Sequence, residues 1–174
     1  MGLFLSTLMP IVEGFNPIID HNARILILGS MPGTESLRKS EYYANPRNQF
    51  WRVIFSIFDS VLETSYAAKA SFLKEKRIAL WDVIKRCNRE GSSDSKITEV
   101  CVNDLASLLL TYPKVKHLCF NGQKAFYTFQ KEVILNTPSQ ITLTMLPSSS
   151  PANARMSIEA KIRKWAIIKT LLLD

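Results

Sequence analysis

Three short stretches of the chain combine small, polar and aromatic residues in patterns that suit a binding cleft. They read GSMPG (29–33), YYANPRNQFW (42–51) and LPSSSPANA (146–154). Glycines in the first stretch allow a close approach of the backbone, whose exposed N–H groups can then bind an anion or a carbonyl oxygen. Small hydroxyls between two prolines in the third stretch suit phosphate oxygens. Together they predict a site for a polar ligand that carries carbonyl or phosphate groups.

Each stretch also has a purely structural interpretation. GSMPG is neither a Walker motif nor GxGxxG, so a phosphate loop of the nucleotide-hydrolase kind is unsupported. Phe50, Trp51, Ile54 and Phe58 recur at helical spacing, which makes the end of the second stretch the buried face of a helix. The third stretch could be a plain turn before the last helix, with Asn153 as the N-cap.

The strands and helices that position these residues alternate along the chain. Four apolar runs predict buried parallel strands that end at Gly29, Asp82, Asn121 and Leu146. Helical patterns lie between and after them, at 50–62, 67–76, 102–110, 126–133 and 158–172. This alternation predicts an α/β fold, a three-layer α/β/α sandwich with a short, mostly parallel four-stranded sheet. Ligands of such sheets bind beyond the carboxyl ends of the strands, where all the polar stretches collect.

The composition is typical of a single basic globular domain, which we expect to span residues 1–174. The net charge of +7 favours a polyanionic partner such as nucleic acid. Three widely spaced cysteines without a CxxC pattern indicate reduced thiols in a cytoplasmic protein and no metal site. No apolar run approaches the roughly 20 residues of a membrane span. The apolar start, MGLFLSTLMP, lacks the basic region of a signal peptide, and we expect a docking segment or a frayed end.

Taken in order, GSMPG, YYANPRNQFW, LWDV (80–83), FNG (120–122) and LPSSSPANA resemble motifs of the uracil-DNA glycosylase superfamily. The closest branch is the hypoxanthine-DNA glycosylase (DNA-deoxyinosine glycosylase) group, which is related to the mismatch-specific uracil/thymine glycosylases. The resemblance covers nearly the whole chain from about Gly14. It implies a monofunctional enzyme that flips a deaminated base, hypoxanthine or uracil, out of DNA and hydrolyses its N-glycosidic bond to leave an abasic site.

The resemblance also implies roles for individual residues. Asn48 is the candidate catalytic residue, whose amide oxygen would orient the attacking water. Tyr43 lies where relatives place an aromatic that stacks on the extruded base. Asp82 lies where relatives carry an asparagine that reads the base edge; a carboxylate there accepts a hydrogen bond but does not donate one. Asn121 is a further pocket candidate. The backbone N–H groups of Ser30 and Met31 would hold the base carbonyl. The remaining substrate-binding candidates all belong to this first loop: Gly29, Ser30, Met31 and Pro32.

The third stretch is expected to face DNA and to press into the space that the base vacates. Its candidate DNA-binding residues are Ser148, Ser149, Ser150, Pro151, Asn153 and Arg155. We expect a monomer that acts on double-stranded DNA with a deaminated or mismatched base, and that needs no cofactor or metal. Structural interpretations stay open for two site residues, because Asn48 could cap the following helix and Asp82 could cap a helix or pair with Arg86.

The chain departs from the pattern of its relatives at three positions. Met31 replaces the polar residue that many relatives have before the proline of the first motif. Leu146 replaces the histidine that begins their last motif, and Asn45 replaces the histidine that commonly precedes PRN in the hypoxanthine branch. Two alternatives to an active glycosylase therefore stay open: a catalytically inactive lesion-binding protein of the same fold, and an unrelated α/β nucleotide-binding protein that uses GSMPG as an anion loop.

Overall fold

A computed structural model of the chain describes residues 10–135 and 140–174. Residues 1–9, which carry most of the expected docking segment or frayed end, lie outside the described residues. The strands are β1 Ile11–Glu13, β2 Ile25–Gly29, β3 Ile78–Asp82, β4 Ile84–Asn88, β5 Thr98–Val102, β6 His117–Asn121 and β7 Thr142–Leu146. The helices are α1 Thr34–Lys39, α2 Phe50–Ile57, α3 Tyr66–Glu75, α4 Leu105–Thr111, α5 Gln123–Glu132, α6 Ile158–Trp165 and α7 Ile167–Leu171, with a short 3₁₀ turn at Asp94–Lys96.

The four predicted strands form one parallel sheet in the order β3-β2-β6-β7. β2 (ILILG) is buried along its whole length, as expected for a central strand covered on both faces. The register pairs Gly29 with Asp82 and Asn121 with Leu146, so the carboxyl ends of all four strands reach one edge. The predicted parallel sheet is therefore confirmed, but β7 is a mostly exposed edge strand and not the buried strand that was predicted.

Helices cover both faces of the sheet, which confirms the three-layer α/β/α sandwich. On one face α2, α3, α6 and α7 enclose a cluster that includes Ile25, Ile27 and Trp165. On the other face α4 and α5 pack on Leu26, Leu28 and neighbouring apolar side chains. Leu146, which replaces the histidine of relatives, is buried in the first of these clusters.

A second, antiparallel sheet was not predicted. It has the strand order β1-β4-β5 and encloses its own small cluster of Met31, Ile84, Cys87 and Ile97. β3 and β4 are separated by Val83 alone, so the chain passes from the parallel sheet directly into the antiparallel one. Asp82 is the last residue before this passage.

Several predicted helix limits were wrong. The helix predicted at 50–62 ends at Ile57, and the pattern at 158–172 is divided at Ala166 into α6 and α7. Val102, predicted as the first residue of a helix, is instead the last residue of β5. The next helix begins after Asp104, whose side chain caps it by accepting a hydrogen bond from the Ser107 N–H at 3.0 Å. Among the described residues, no helix combines the length and the apolarity that a membrane crossing requires.

Candidate active site

The polar stretches meet in one cleft at the carboxyl edge of the parallel sheet, as predicted. Its volume is about 1290 Å³, which accommodates a nucleobase with part of its sugar-phosphate chain. Candidates from every stretch line it: Ser30, Met31, Pro32, Tyr43, Asn48, Asp82, Asn121, Ser148, Ser149, Ser150, Pro151 and Asn153. Gly29 lies just behind this lining at the end of β2, and Arg155 is exposed outside it.

Asp82 is the buried carboxyl of the cleft. Its side chain is only 4% exposed, and Oδ2 has no hydrogen-bond partner among the described residues. The pKa of Asp82 is raised to about 8, chiefly by burial and to a smaller extent by the nearby Asp94, while Arg89 opposes the shift. The carboxyl is therefore mainly neutral at pH 7 and carries an O–H donor. This corrects the expectation that Asp82 can only accept, and it neither caps a helix nor pairs with Arg86.

Gly29 explains how Asp82 fits beside the first loop. A Cβ added at Gly29 would collide with Asp82 Oδ1 and would lie 3.0 Å from the Tyr43 hydroxyl. Glycine is required here because two functional side chains pass over its Cα. Gly29 therefore contributes to the predicted base pocket by lacking a side chain, which leaves room for Asp82 and for the Tyr43 hydroxyl.

The GSMPG loop is held from behind by residues that sequence reasoning missed. The Ser30 hydroxyl donates to Asp94 Oδ1 at 2.8 Å, and the Pro32 carbonyl accepts a hydrogen bond from Arg89 Nη2. Arg89 is 1% exposed, and its other two side-chain nitrogens have no partner among the described residues. The Met31 side chain is buried in the antiparallel sheet, so it leaves only backbone groups for a ligand.

Tyr43 is held in an unusual backbone conformation. Its φ of 55° lies in the left-handed region, which a bulky residue adopts at a cost. Its ring stacks on Phe50 with centroids 4.0 Å apart, and its hydroxyl accepts a hydrogen bond from Asn121 Nδ2 at 2.9 Å. Burial raises the pKa of this phenol. Tyr43 is thus a rigid wall of the cleft, whereas Tyr42 is buried in the hydrophobic core.

Asn121 and Ser149 connect this wall to Asn48. Asn121 Nδ2 also donates to Ser149 Oγ at 2.8 Å, and Asn121 Oδ1 accepts from the Ser149 N–H at 2.8 Å. Ser149 Oγ in turn donates to Asn48 Oδ1 at 2.9 Å. Both amide hydrogens of Asn121 are therefore used within the protein, and its predicted role in reading the base is unsupported. Its observed role is to support the pocket.

The Asn48 amide oxygen is fully occupied. Besides the Ser149 hydroxyl it accepts the Phe50 N–H at 2.9 Å, so the side chain also satisfies the first N–H of α2. Since a carbonyl oxygen has two lone pairs, none is left to orient a water. The structure corrects that part of the expectation, although Asn48 does line the cleft.

The 147–153 loop is anchored at several points. Trp165 Nε1 donates to the Pro147 carbonyl at 2.9 Å, and the Gln49 N–H donates to the Ser149 carbonyl at 3.0 Å. Lys161, 1% exposed, donates to Gln49 Oε1 at 2.8 Å and to the Asn153 carbonyl at 3.0 Å. Buried Lys161 therefore links the loop to Gln49 at the start of α2.

Two of the predicted DNA contacts change role in this loop. Ser149 is 0% exposed, so its hydroxyl is not available to a phosphate. Asn153 does not cap the last helix, because Ser157 does so; Asn153 Nδ2 instead donates to the Ser148 carbonyl at 3.1 Å and closes the loop. Ser148, Ser150 and Pro151 are partly exposed, and their DNA-binding role stays a prediction.

Within the described ranges, no group of three or more His, Cys, Asp or Glu side chains could hold a metal ion. The residues that line the cleft act through hydrogen bonds and stacking. Asn45, which replaces a histidine of relatives, accepts the Arg47 N–H at 2.9 Å and shapes the turn before α2.

A parallel sheet covered on both faces, with a base-sized cleft of hydrogen-bonding side chains at its carboxyl edge, defines an α/β/α enzyme of the nucleobase-processing class. Residues 17–171 match the model of the uracil DNA glycosylase superfamily. The chain therefore belongs to the uracil DNA glycosylase superfamily. It is a DNA glycosylase, an enzyme of base-excision repair whose substrate is DNA.

Individual relatives agree with this assignment. The chain is 45% identical over 148 residues to a hypoxanthine DNA glycosylase from Methanosarcina acetivorans, covering 84% of this chain and 91% of the relative. It is 41% identical over 155 residues to a protein of the same name from Methanosarcina barkeri, covering 88% and 95%. A solution NMR structure of a candidate uracil DNA glycosylase from M. acetivorans superimposes with a TM-score of 0.77 at 39% identity, covering 93% of this chain and 99% of that one.

Proposed function

We propose that this DNA glycosylase removes deaminated bases, hypoxanthine first and uracil second, from double-stranded DNA, acting as a monomer. The names of its two relatives support hypoxanthine. The observation that carries the proposal is the buried, unpartnered and mainly neutral carboxyl of Asp82 at the cleft. Deamination converts an amino group and a ring nitrogen acceptor into a lactam, a carbonyl beside a ring N–H.

A neutral carboxyl matches a lactam edge with two hydrogen bonds. Its O–H donates to the base carbonyl while its C=O accepts the ring N–H, which is the pair of functions that a side-chain amide provides. Neutrality matters for a second reason. The departing base gains negative charge as its bond to the sugar breaks, and an ionised carboxylate beside it would raise the barrier.

The reaction itself is a hydrolysis. The C1′–N bond breaks and its electron pair leaves with the base, while the oxygen of a water forms a new bond to C1′. One proton of that water ends on the base or in solvent, which leaves an abasic sugar and a free base. The cleft supplies the aromatic wall of Tyr43, the lactam partner Asp82 and the amide of Asn48, all on rigid supports.

The 147–153 loop is placed to assist base flipping. Its anchored backbone presents Ser148, Ser150 and Pro151 at the mouth of the cleft. Extruding a base costs a few kcal/mol in a paired duplex, and a preorganised loop that fills the vacated space offsets part of it. The net charge of +7 favours the phosphate backbone of the duplex.

The test is a panel of duplexes, each with one hypoxanthine, uracil, xanthine or mismatched thymine, incubated with excess enzyme and then treated with alkali. We expect abasic sites at hypoxanthine first and at uracil more slowly, with no strand cleavage before alkali. Binding to these duplexes without base release would identify a lesion-binding protein and overturn the proposal. Release of mismatched thymine alone would overturn the substrate assignment.

A further inference from the structure

The Ser149 hydroxyl occupies a central position in the hydrogen-bond network behind the cleft. The residue is fully buried, and all its polar groups are bonded within the protein. Its N–H and Oγ contact Asn121, its Oγ also contacts Asn48, and its carbonyl accepts the Gln49 N–H. A loop serine with this much internal bonding acts on its neighbours and not on DNA.

The directions of these hydrogen bonds follow from the backbone at both ends of the network. The Ser149 N–H is a donor only, so the Asn121 atom that it contacts must be the oxygen, and the Asn121 nitrogen must face Ser149 Oγ. The Ser149 proton is therefore directed to Asn48. The Phe50 N–H likewise requires that its partner on Asn48 is the oxygen. Flipping either amide would set its NH₂ group against a backbone N–H and lose that hydrogen bond.

The orientation of Asn48 follows from this arrangement. Its Oδ1 is enclosed by two donors, and its Nδ2 has no partner among the described residues while the side chain lines the cleft. Two donors on a carbonyl oxygen also polarise the amide and strengthen its N–H groups as donors. The cleft thus contains a fixed, unused hydrogen-bond donor beside the wall formed by Tyr43.

We propose that Ser149 is a positioning residue, which holds Asn48 with its NH₂ group towards the substrate so that Asn48 donates a hydrogen bond to the departing base. This inference rests on the proposed base-release function and refines the role of Asn48 within it. A donor aimed at the charge that develops on the leaving base lowers the barrier of bond breaking. The donor role replaces the orientation of water by the Asn48 oxygen.

The Asn48→Asp variant tests whether the side chain at position 48 acts as a hydrogen-bond donor or as an acceptor. The substitution keeps an oxygen for Phe50 and Ser149 and replaces the cleft-facing NH₂ by an oxygen. If Asn48 acts as a donor, the Asp variant should lose about 100-fold or more in single-turnover rate, as much as Asn48→Ala. If the residue served to orient water, a carboxylate would sustain the reaction, so retained activity in the Asp variant would overturn the proposal.

Ser149→Ala tests the positioning role, with Ser60→Ala as the control because Ser60 does not line the cleft and its partly buried hydroxyl donates only to the nearby Phe58 carbonyl among the described residues. We expect Ser149→Ala to slow base release about 10- to 100-fold at saturating enzyme, with duplex affinity within about twofold of wild type. The control should keep the wild-type rate. An unchanged rate in a Ser149→Ala protein of lowered Tm would show a merely structural serine and refute the inference.

An NMR measurement tests the same contact without an activity assay, which is useful if a variant is hard to assay. In protein with ¹⁵N-labelled asparagine, the Asn48 NH₂ signals, assigned by their loss in Asn48→Ala, should shift in Ser149→Ala and stay in place in Ser60→Ala. Unmoved signals would contradict the contact. All rates are measured on the damaged base that the wild-type enzyme releases. A wild-type enzyme that does not release hypoxanthine would refute the proposed substrate. The ratio of the variant rate to the wild-type rate tests the role of Ser149 separately.

Discussion

Replacing Asp82 by asparagine removes the ionisable group at the centre of the cleft while keeping its shape. The fold raises the pKa of this carboxyl from an ordinary 3.8 to about 8, chiefly through burial. Between these values the native protein holds a proton that the unfolded chain releases. The contribution of Asp82 to the free energy of unfolding is therefore greatest below pH 3.8, falls as the pH rises, and levels off above pH 8.

The size of this effect follows from the width of the pH window. About 3 pH units separate 3.8 from pH 7, and each contributes about 1.4 kcal/mol, so the burial of Asp82 costs about 4 kcal/mol at pH 7. Asparagine does not titrate and carries both a donor and an acceptor. We expect Asp82→Asn to be more stable than wild type by up to about 4 kcal/mol at pH 7, with the difference close to zero near pH 4.

Urea unfolding at pH 4, 5.5, 7 and 8.5 measures the difference in the free energy of unfolding between the variant and the wild type. The rate of single-turnover base release, measured over the same range above pH 5, tests the effect on activity. Wild-type activity should fall as the pH passes about 8, where Asp82 ionises, while the variant stays active. Asp104→Asn is the control, because Asp104 is an exposed helix cap whose pKa is lowered by the Ser107 N–H. A stability difference between Asp82→Asn and wild type that does not change from pH 4 to pH 8.5 would refute the reasoning.

Three further predictions follow from the same geometry. Gly29→Ala should reduce base release at least tenfold in a single-turnover assay, because the new Cβ displaces Asp82; wild-type activity would contradict the packing. Replacing Ser148 and Ser150 by glycine should loosen the loop and slow cleavage of paired duplexes several-fold more than cleavage of single strands, where extrusion costs less; equal losses on both substrates would count against a flipping role. Base release should be unchanged in EDTA, because the described residues contain no metal-binding cluster, and should leave no borohydride-trapped adduct, because none of the proposed substrate contacts is a lysine; an adduct would indicate a lyase that uses Lys124, which lines the cleft.

The parallel sheet could be predicted because its signals are local. β2, β3 and β6 are apolar runs of five residues that are buried on both faces, and each ends at a polar or glycine residue. The antiparallel sheet has no such signal. β4 and β5 read IKRCN and TEVCV, with mixed burial and an irregular register, so only their pairing makes them strands.

The candidate site was predictable where a motif placed a residue at the end of a strand, as for Asp82, or at the start of a helix, as for Asn48. It was not predictable where distant residues meet. Asp94 bonds Ser30 across 64 positions, in a segment that reads as a polar loop. Ser149 resembled an exposed DNA contact, because a serine between prolines carries no sign of burial, and the partner that buries it is 101 positions away.

The network that contains Ser149 also constrains how this enzyme can be diversified. Its hydroxyl serves Asn121 and Asn48 at once, so changing one of the three residues leaves buried partners of the others unsatisfied, and their effects will not add. A library that varies them singly would therefore sample mostly defective proteins. Combinatorial libraries that vary the three positions together are the practical route to a glycosylase with a different base preference.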